Sequence, residues 1–480
     1  MTDPRFISTP AMNPTLAPSA VIEALRAELG PQAVRAGADL PVRHHNDASG
    51  LPASVPLVVV RPADTAGVAA AMRICHAHGV AVVPQGGLTG LCGGARAAPD
   101  QVALSLERLV GIEEIDPAAA TLTVRAGTPL ETVQQAAADA GFFCPLDLGA
   151  RGSCAIGGNL ATNAGGNRVI RYGMAREMVL GLEVVLPDGG VVTSLNKMIK
   201  NNAGFDLKHL FIGSEGTLGI ITRVVLRLYP KPASTLVALC AVNGYDDVLT
   251  LLASARQNLG PLLSAFEVMW PEFWQFANTH APRARNPLAD DATPYGAYVL
   301  VEALGTDEAM DTPRFEAWLG QLLEDGVVPN AAIAQSLADA RAFWALRDAS
   351  GEFHPLWPGH LAYDVGLPVA RMEDCVIRCR AALAEAFPGI DSFYYGHIGD
   401  GNLHLIVHLP GVPKQPKDAV NAIVYGLVRE FGGTVSAEHG IGTLKRPWLG
   451  HARSPEEIAL MRVIKNALDP LGLLNPGKVL

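Results

Sequence analysis

Three glycine-rich loops, each beside an apolar strand-like run, constrain this chain more than any other feature. They read PQGGLTGLCGGA (84–95), GARGSCAIGGNLATNAGGNR (149–168) and FIGSEGTLGIIT (211–222). The first carries five glycines in twelve residues. A backbone so free of Cβ atoms approaches an anion closely and turns its N–H groups toward it. The spacing is not G-x-G-x-x-G opening a helix in a βαβ unit, so a Rossmann domain is not expected. One such loop is ordinary turn chemistry, but three in succession call for an extended, phosphate-bearing ligand.

At 480 residues the chain exceeds one ordinary core and suggests two or three domains. Its net charge of −10 argues against nucleic acid as a partner, because phosphate binding needs a basic face. No basic-then-apolar leader opens MTDPRFISTPAMNPTLAPSA, and no apolar run is long enough to span a bilayer; the expected location is cytoplasmic. Seven scattered cysteines without a CxxC pair read as reduced thiols. Short strands such as PLVVVRP and LTVRAG alternate with helices and glycine turns up to about LYPKPAS, after which glycine thins and helices lengthen. The expected division is a helical N-terminal segment (1–50), a glycine-loop domain (51–232), a second domain (233–435) and a C-terminal segment (436–480).

In YYGHIGDGNLHLIVHLP, His397 and His404 are seven apart, a spacing that fits neither a helix face nor a strand face. Asp400-Gly401 is a strong signal for a two-residue type I′ hairpin. That turn pairs His397 directly with His404 and brings both rings to one side. A metal needs further ligands, and GGTVSAEHGIGTLKR offers Glu438 beside His439, with Gly440 and Gly442 to let the backbone turn. Two histidines and a carboxylate suit zinc first, with manganese or iron as alternatives. His44, His45, His209, His354 and His360 read as satisfied surface or loop histidines.

Together these motifs resemble the FAD-linked D-2-hydroxyacid dehydrogenases, which include D-lactate and D-2-hydroxyglutarate dehydrogenases and the glycolate oxidase FAD subunit. The likeness covers roughly residues 50 to 480. It implies an α+β fold: a two-subdomain FAD-binding domain of the vanillyl-alcohol oxidase / p-cresol methylhydroxylase type at 51–232, plus an α+β substrate (cap) domain with an antiparallel sheet. The resemblance places non-covalent FAD along Pro84, Gly86, Gly87, Thr89 and Gly90, then Gly152, Ser153, Gly157, Gly158, Asn159, Thr162, Asn163 and Gly165. Glu215, Gly219 and Ile220 would sit by the adenosine half, and Asn475 and Lys478 near the flavin. It makes His397, His404 and Glu438 the metal ligands, His439 the catalytic base and Arg347 the grip on the substrate carboxylate.

The implied reaction is oxidation of a D-2-hydroxy acid to the 2-oxo acid. Two departures bear on the substrate. Ala362 replaces the lysine, and Ile406 the asparagine, that D-2-hydroxyglutarate dehydrogenases carry, and strand parity turns Ile406 to the side of His404. Without those partners a distal carboxylate is poorly held. D-lactate or an apolar D-2-hydroxyalkanoate is therefore the favoured substrate, and D-2-hydroxyglutarate the alternative. A flavin subunit of a glycolate-oxidase-like complex, or a non-redox enzyme such as an alkylglycerone-phosphate synthase, are further alternatives. Expected partners are the small 2-hydroxy acid, an electron acceptor such as an electron-transfer flavoprotein, a cytochrome or a quinone, and a second copy of the chain as a homodimer.

Overall fold

The computed structural model describes residues 18–281, 286–288 and 294–480; the start of the N-terminal segment, on which the expected location rests, lies outside them. Strands Val58–Val60, Val102–Ser105 and Val82–Gln85 run parallel in that spatial order, with Val34–Arg35 antiparallel at one edge. Their valine-rich runs are almost wholly buried, as strands covered on both faces require. Helix Thr65–His78 makes the crossover. The Asp64 side chain caps its start, and Gly79, at φ 63°, ends it.

A second, antiparallel sheet has the order Ile112–Asp116, Thr121–Arg125, Ile220–Arg227, Val179–Val185, Val191–Ser194. It shares one hydrophobic core with the first sheet, and Leu474 of the C-terminal tail returns to bridge Val82 in that core.

The third sheet holds seven antiparallel strands: Asn330–Ile333, Ser234–Val242, Ala297–Gly305, Leu263–Met269, Asp391–Gly396, Asn402–His408 and Leu361–Gly366. Alternate residues enter different cores. Ala238, Val301, Tyr363 and Leu405 pack on one face under helices Tyr245–Asn258, Glu308–Glu324, Met372–Ala386 and Lys417–Glu430. Val237, Leu300, Tyr395 and Ile406 pack on the other, under Pro271–His280 and Leu337–Arg347. This second face meets the glycine loops: Arg168 holds Glu302 through Nε (2.9 Å) and Nη2 (3.2 Å) and Asp147 through Nη1 (3.0 Å). Among the described residues no helix is long and apolar enough to cross a membrane.

Candidate metal and flavin site

The glycine loops fold onto one another. A Cβ at Gly87 would run into Ser153 O, and one at Gly157 would lie 2.7 Å from the Ala126 Cβ, so those contacts need glycine. Gly90 and Gly158 face open space instead. Six non-glycine residues among those described have positive φ. Five of them, Leu88, Asn163, Glu215, Asn475 and Val479, lie in these loops or the C-terminal tail, and such strain collects at ligand sites. Asn475 Nδ2 ties the first and third loops by donating to Gly94 O (3.1 Å) and Glu215 O (2.8 Å), while its buried Oδ1 has no partner. The Lys478 ammonium is buried and reaches Pro476 O at 3.5 Å; burial lowers its pKa. An unanswered amide oxygen, a buried cation and two open glycines suit a dinucleotide such as FAD. Thr162 Oγ1 is turned onto Gly158 O (3.2 Å) and Asn159 Nδ2 onto Cys154 Sγ (3.4 Å). Gly219 and Ile220 lie deeper. A Cβ at Gly219 would meet Val184 and Phe211, and Ile220 opens a buried strand.

The 397–404 stretch corrects the expected hairpin. Tyr395, not His397, is the direct partner of His404, and the chain passes through a 3₁₀ turn over Ile398–Asp400 closed by Asn402 N–H donating to His397 O (3.1 Å). Gly401 alone takes the left-handed conformation of the turn, at φ 88°. The register differs from the type I′ one by two residues. A two-residue shift preserves facing, so His397 becomes a diagonal neighbour of His404 on the same side. Their ring centroids are 5.2 Å apart.

Glu438 completes the group: His397, His404 and Glu438 each offer a ligand atom, all within 4.8 Å of one another. Burial, reinforced by the nearby His397 charge, holds the His404 pKa well below normal, so its ring is neutral and its lone pair free. At His397 burial opposes the charge, but the Glu267 carboxylate outweighs it and lifts the imidazole to about 8. That carboxylate takes His397 Nδ1 at 2.6 Å, so Nε2 is the ring nitrogen that could hold a cation. The donor set fits a divalent cation. Arg347, at the end of its helix, is buried alongside: Nε donates to Glu267 (2.8 Å), Nη2 lies 3.0 Å from His397 Nε2, and the guanidinium covers the Tyr395 ring at 5.5 Å.

His439 and Glu438 sit in a loop that the sequence could not orient. Asp364, directly opposite His404 across the sheet and fully buried, accepts the backbone N–H groups of Glu438 and His439, both at 2.9 Å. It also accepts the Ser436 hydroxyl (3.3 Å) and lies near the Lys445 ammonium (3.7 Å) and His439 Nδ1 (3.8 Å). Burial would raise its pKa, but the His439 and Lys445 charges and the N–H donors hold it far below the carboxylate range. From the other side Glu215 accepts Ile441 N–H (2.6 Å) and Gly442 N–H (2.8 Å). Gly440 and Gly442 run at φ 81° and 49°, and a side chain at Gly442 would strike Cys92 O. Glu438 itself accepts the Gly166 N–H at 2.6 Å, and a Cβ at Gly165 would collide with it, so the candidate ligand Glu438 touches the second glycine loop.

Asp364 and Glu267 escaped the sequence reading. Each is a lone carboxylate in an apolar strand, LAYDVG and LSAFEVM, and a charge in such a run is tolerated only when partnered, a signal available from sequence. His44 corrects a further expectation. It is buried, with Nδ1 2.8 Å from Gln85 Oε1 at the root of the first glycine loop. Ile406 is buried between Phe393 and Ala362 on neighbouring strands, on the face of His404, while Ala362 is exposed.

The profile described as FAD linked oxidases, C-terminal domain, matches residues 231–479, and that of the FAD binding domain matches 56–194. The chain is 42% identical over 429 residues to a D-2-hydroxyglutarate dehydrogenase of Xanthomonas citri pv. viticola, covering 88% of this chain and 89% of that protein. It is 41% identical over 423 residues to a probable mitochondrial D-2-hydroxyglutarate dehydrogenase of Oryza sativa subsp. indica (88% and 75% covered). A putative mitochondrial D-lactate dehydrogenase of Schizosaccharomyces pombe is 37% identical over 430 residues (88% and 81%). In fold it is similar to p-cresol methylhydroxylase with substrate bound (TM-score 0.76, 16% identity, 96% of each chain) and to alkyldihydroxyacetonephosphate synthase (0.73, 17%, 99% and 89%).

Proposed function

The chain belongs to the FAD-linked oxidases and is an FAD-dependent D-2-hydroxyacid dehydrogenase, and from that premise we propose that it oxidises D-lactate or a longer apolar D-2-hydroxyalkanoate at a metal centre formed by His397, His404 and Glu438. The observation that carries the reading is the convergence of these three ligand atoms within 4.8 Å, beside His439 and against the second glycine loop. When bound, FAD supplies the acceptor for the hydride leaving C2, and the cation supplies polarisation of the C2 hydroxyl. The residues do the rest. His439 takes the hydroxyl proton on its ring nitrogen, with its loop held from below by Asp364. Arg347 turns its Nη groups to the substrate carboxylate while Glu267 keeps its Nε. Glu215, Asn475 and the glycine loops hold the cofactor side.

In the first row beyond His404, the side chains on that face are Ile406, Phe393 and Ala362, none of them charged; Asp391 and His408 come only in the row after. His360 does not substitute for the missing lysine. Its Nδ1 is turned to Trp357 O at 3.1 Å, and burial lowers its pKa. These features support a substrate with an apolar side chain. A second reading, D-2-hydroxyglutarate, rests on the relatives about 40% identical that carry that name. Anaerobic flavin bleaching with D- and L-2-hydroxy acids, with and without EDTA, tests both. Fast, EDTA-sensitive bleaching by D-lactate or D-2-hydroxyalkanoates supports the first; D-2-hydroxyglutarate turnover equal to or better than D-lactate overturns it. Electrons from the reduced flavin are expected to pass to an electron-transfer flavoprotein, cytochrome or quinone.

A further inference from the structure

Glu267 lies on the central strand Leu263–Met269, with Phe266 and Val268 facing one core and Glu267 the other, and none of its surface is exposed. A carboxylate there survives only if both oxygens are answered, and they are, by two residues fifty apart in sequence. Oε1 takes His397 Nδ1 at 2.6 Å and Oε2 takes Arg347 Nε at 2.8 Å. One residue belongs to the metal cluster and the other is the expected carboxylate clamp. Their other ends, His397 Nε2 and Arg347 Nη2, meet each other at 3.0 Å, a contact that a cation on Nε2 and a substrate carboxylate on Nη2 would replace. The bond at Nδ1 selects the tautomer that keeps its lone pair on Nε2, in a ring whose ligand atom lies within 4.8 Å of those of His404 and Glu438. The bond at Nε fixes the plane of the guanidinium, with Nη2 against His397 and Nη1 3.6 Å from the Asp348 carboxylate.

We infer that Glu267 is a positioning residue that sets the metal ligand and the substrate clamp in one rigid frame, so that metal affinity and substrate binding depend on the same buried carboxylate. The inference rests on the proposed roles of His397 and Arg347. It makes a demand that packing alone does not. Glutamine in place of glutamate has the same shape but one acceptor, so it serves only one of the two donors and turns an N–H₂ toward the other. If that other is His397, the imidazole is driven to the tautomer with its proton on the metal-facing nitrogen.

The test uses the purified flavoprotein, stripped of metal and titrated with Zn2+ against a chromophoric chelator, for wild type, Glu267→Gln, Glu267→Asp and His397→Ala. FAD content and melting temperature are followed in parallel. Glu267→Gln is expected to weaken Zn2+ binding about 10- to 100-fold and, at saturating Zn2+, to raise KM for the hydroxy acid, with FAD retained. Zn2+ affinity within threefold of wild type and an unchanged KM in a folded, flavin-loaded Glu267→Gln protein overturn the inference. Should Glu267→Gln fail to fold, Glu267→Asp decides. It keeps the charge but is too short to reach both partners, so weakened Zn2+ binding supports the frame and wild-type binding refutes it. His397→Ala separates the two failures: if it binds Zn2+ as tightly as wild type, the proposed metal site itself is wrong.

Discussion

Ala362→Lys is the substitution that most directly tests the substrate reading. Ala362 faces Ile406 across the sheet and lies two residues from Asp364, which faces His404. At about 3.3 Å of rise per residue, Ala362 is therefore about 7 Å along the strand from the level of the metal cluster. The four-carbon stem of lysine spans that distance and brings an ammonium to the distal end of a four- or five-carbon hydroxy acid. Because Ala362 is exposed, the new side chain displaces nothing from the core. Ile406→Asn, by contrast, empties a buried slot and costs about 2–5 kcal/mol before any gain. A hydrogen bond to a charged group contributes about 1.5–3 kcal/mol, and solvent access holds it to the low end. At about 1.4 kcal/mol per decade, the kcat/KM ratio of D-2-hydroxyglutarate to D-lactate should rise about tenfold, through the dicarboxylate's KM. Stopped-flow flavin bleaching and steady-state dye reduction with both acids measure it. A ratio unchanged within twofold, with FAD content and melting temperature preserved, refutes the placement of the distal pocket beside Ala362 and Ile406.

His439→Ala should abolish substrate bleaching while leaving FAD bound, because the ring is partly exposed and packs little; loss of FAD would show a structural role instead. Asp364→Asn removes the charge facing Lys445 and His439 and should lower kcat at least 100-fold, read by single-turnover bleaching with the flavin spectrum as control. Arg168→Ala strands the buried Glu302 carboxylate and should cost about 3–5 kcal/mol, measured as a shift of the denaturant midpoint. The metal-stripped protein should also lose stability in acid. Burial opposes the Glu267 charge, but His397 and Arg347 overcome it and lower the carboxyl from 4.5 to about 2, so this contribution is whole above pH 4.5 and fades as pH falls toward 2. A denaturant midpoint that stays flat across that window in wild type but falls in Glu267→Gln would contradict the sign.

The local parts of this protein were legible because their chemistry is local. Glycine clusters beside valine-rich strands mark backbone that must approach a ligand or another loop, and Gly87 and Gly157 do press against neighbouring backbone. The His397–His404 spacing and the Glu438-His439-Gly440 run pointed to three side chains whose ligand atoms the fold brings within 4.8 Å of one another. Turn chemistry alone chose the wrong hairpin. Asp-Gly favours a two-residue turn, yet the Tyr395–His404 pairing, set by sheet packing over many residues, takes up Ile398–Gly401 as a longer loop. Parity survived the error because a two-residue slip keeps every side chain on its face.

What no local pattern contained was the anchoring of the site. Glu267 is 130 residues from His397, and Asp364 is 74 from Glu438. Their carboxylates are stable only where the seven-stranded sheet brings those segments together. The sequence by itself therefore determined which groups are candidates to hold FAD and a cation. The tertiary structure decided how they are held, because a buried charge acquires its partner only when distant strands pair.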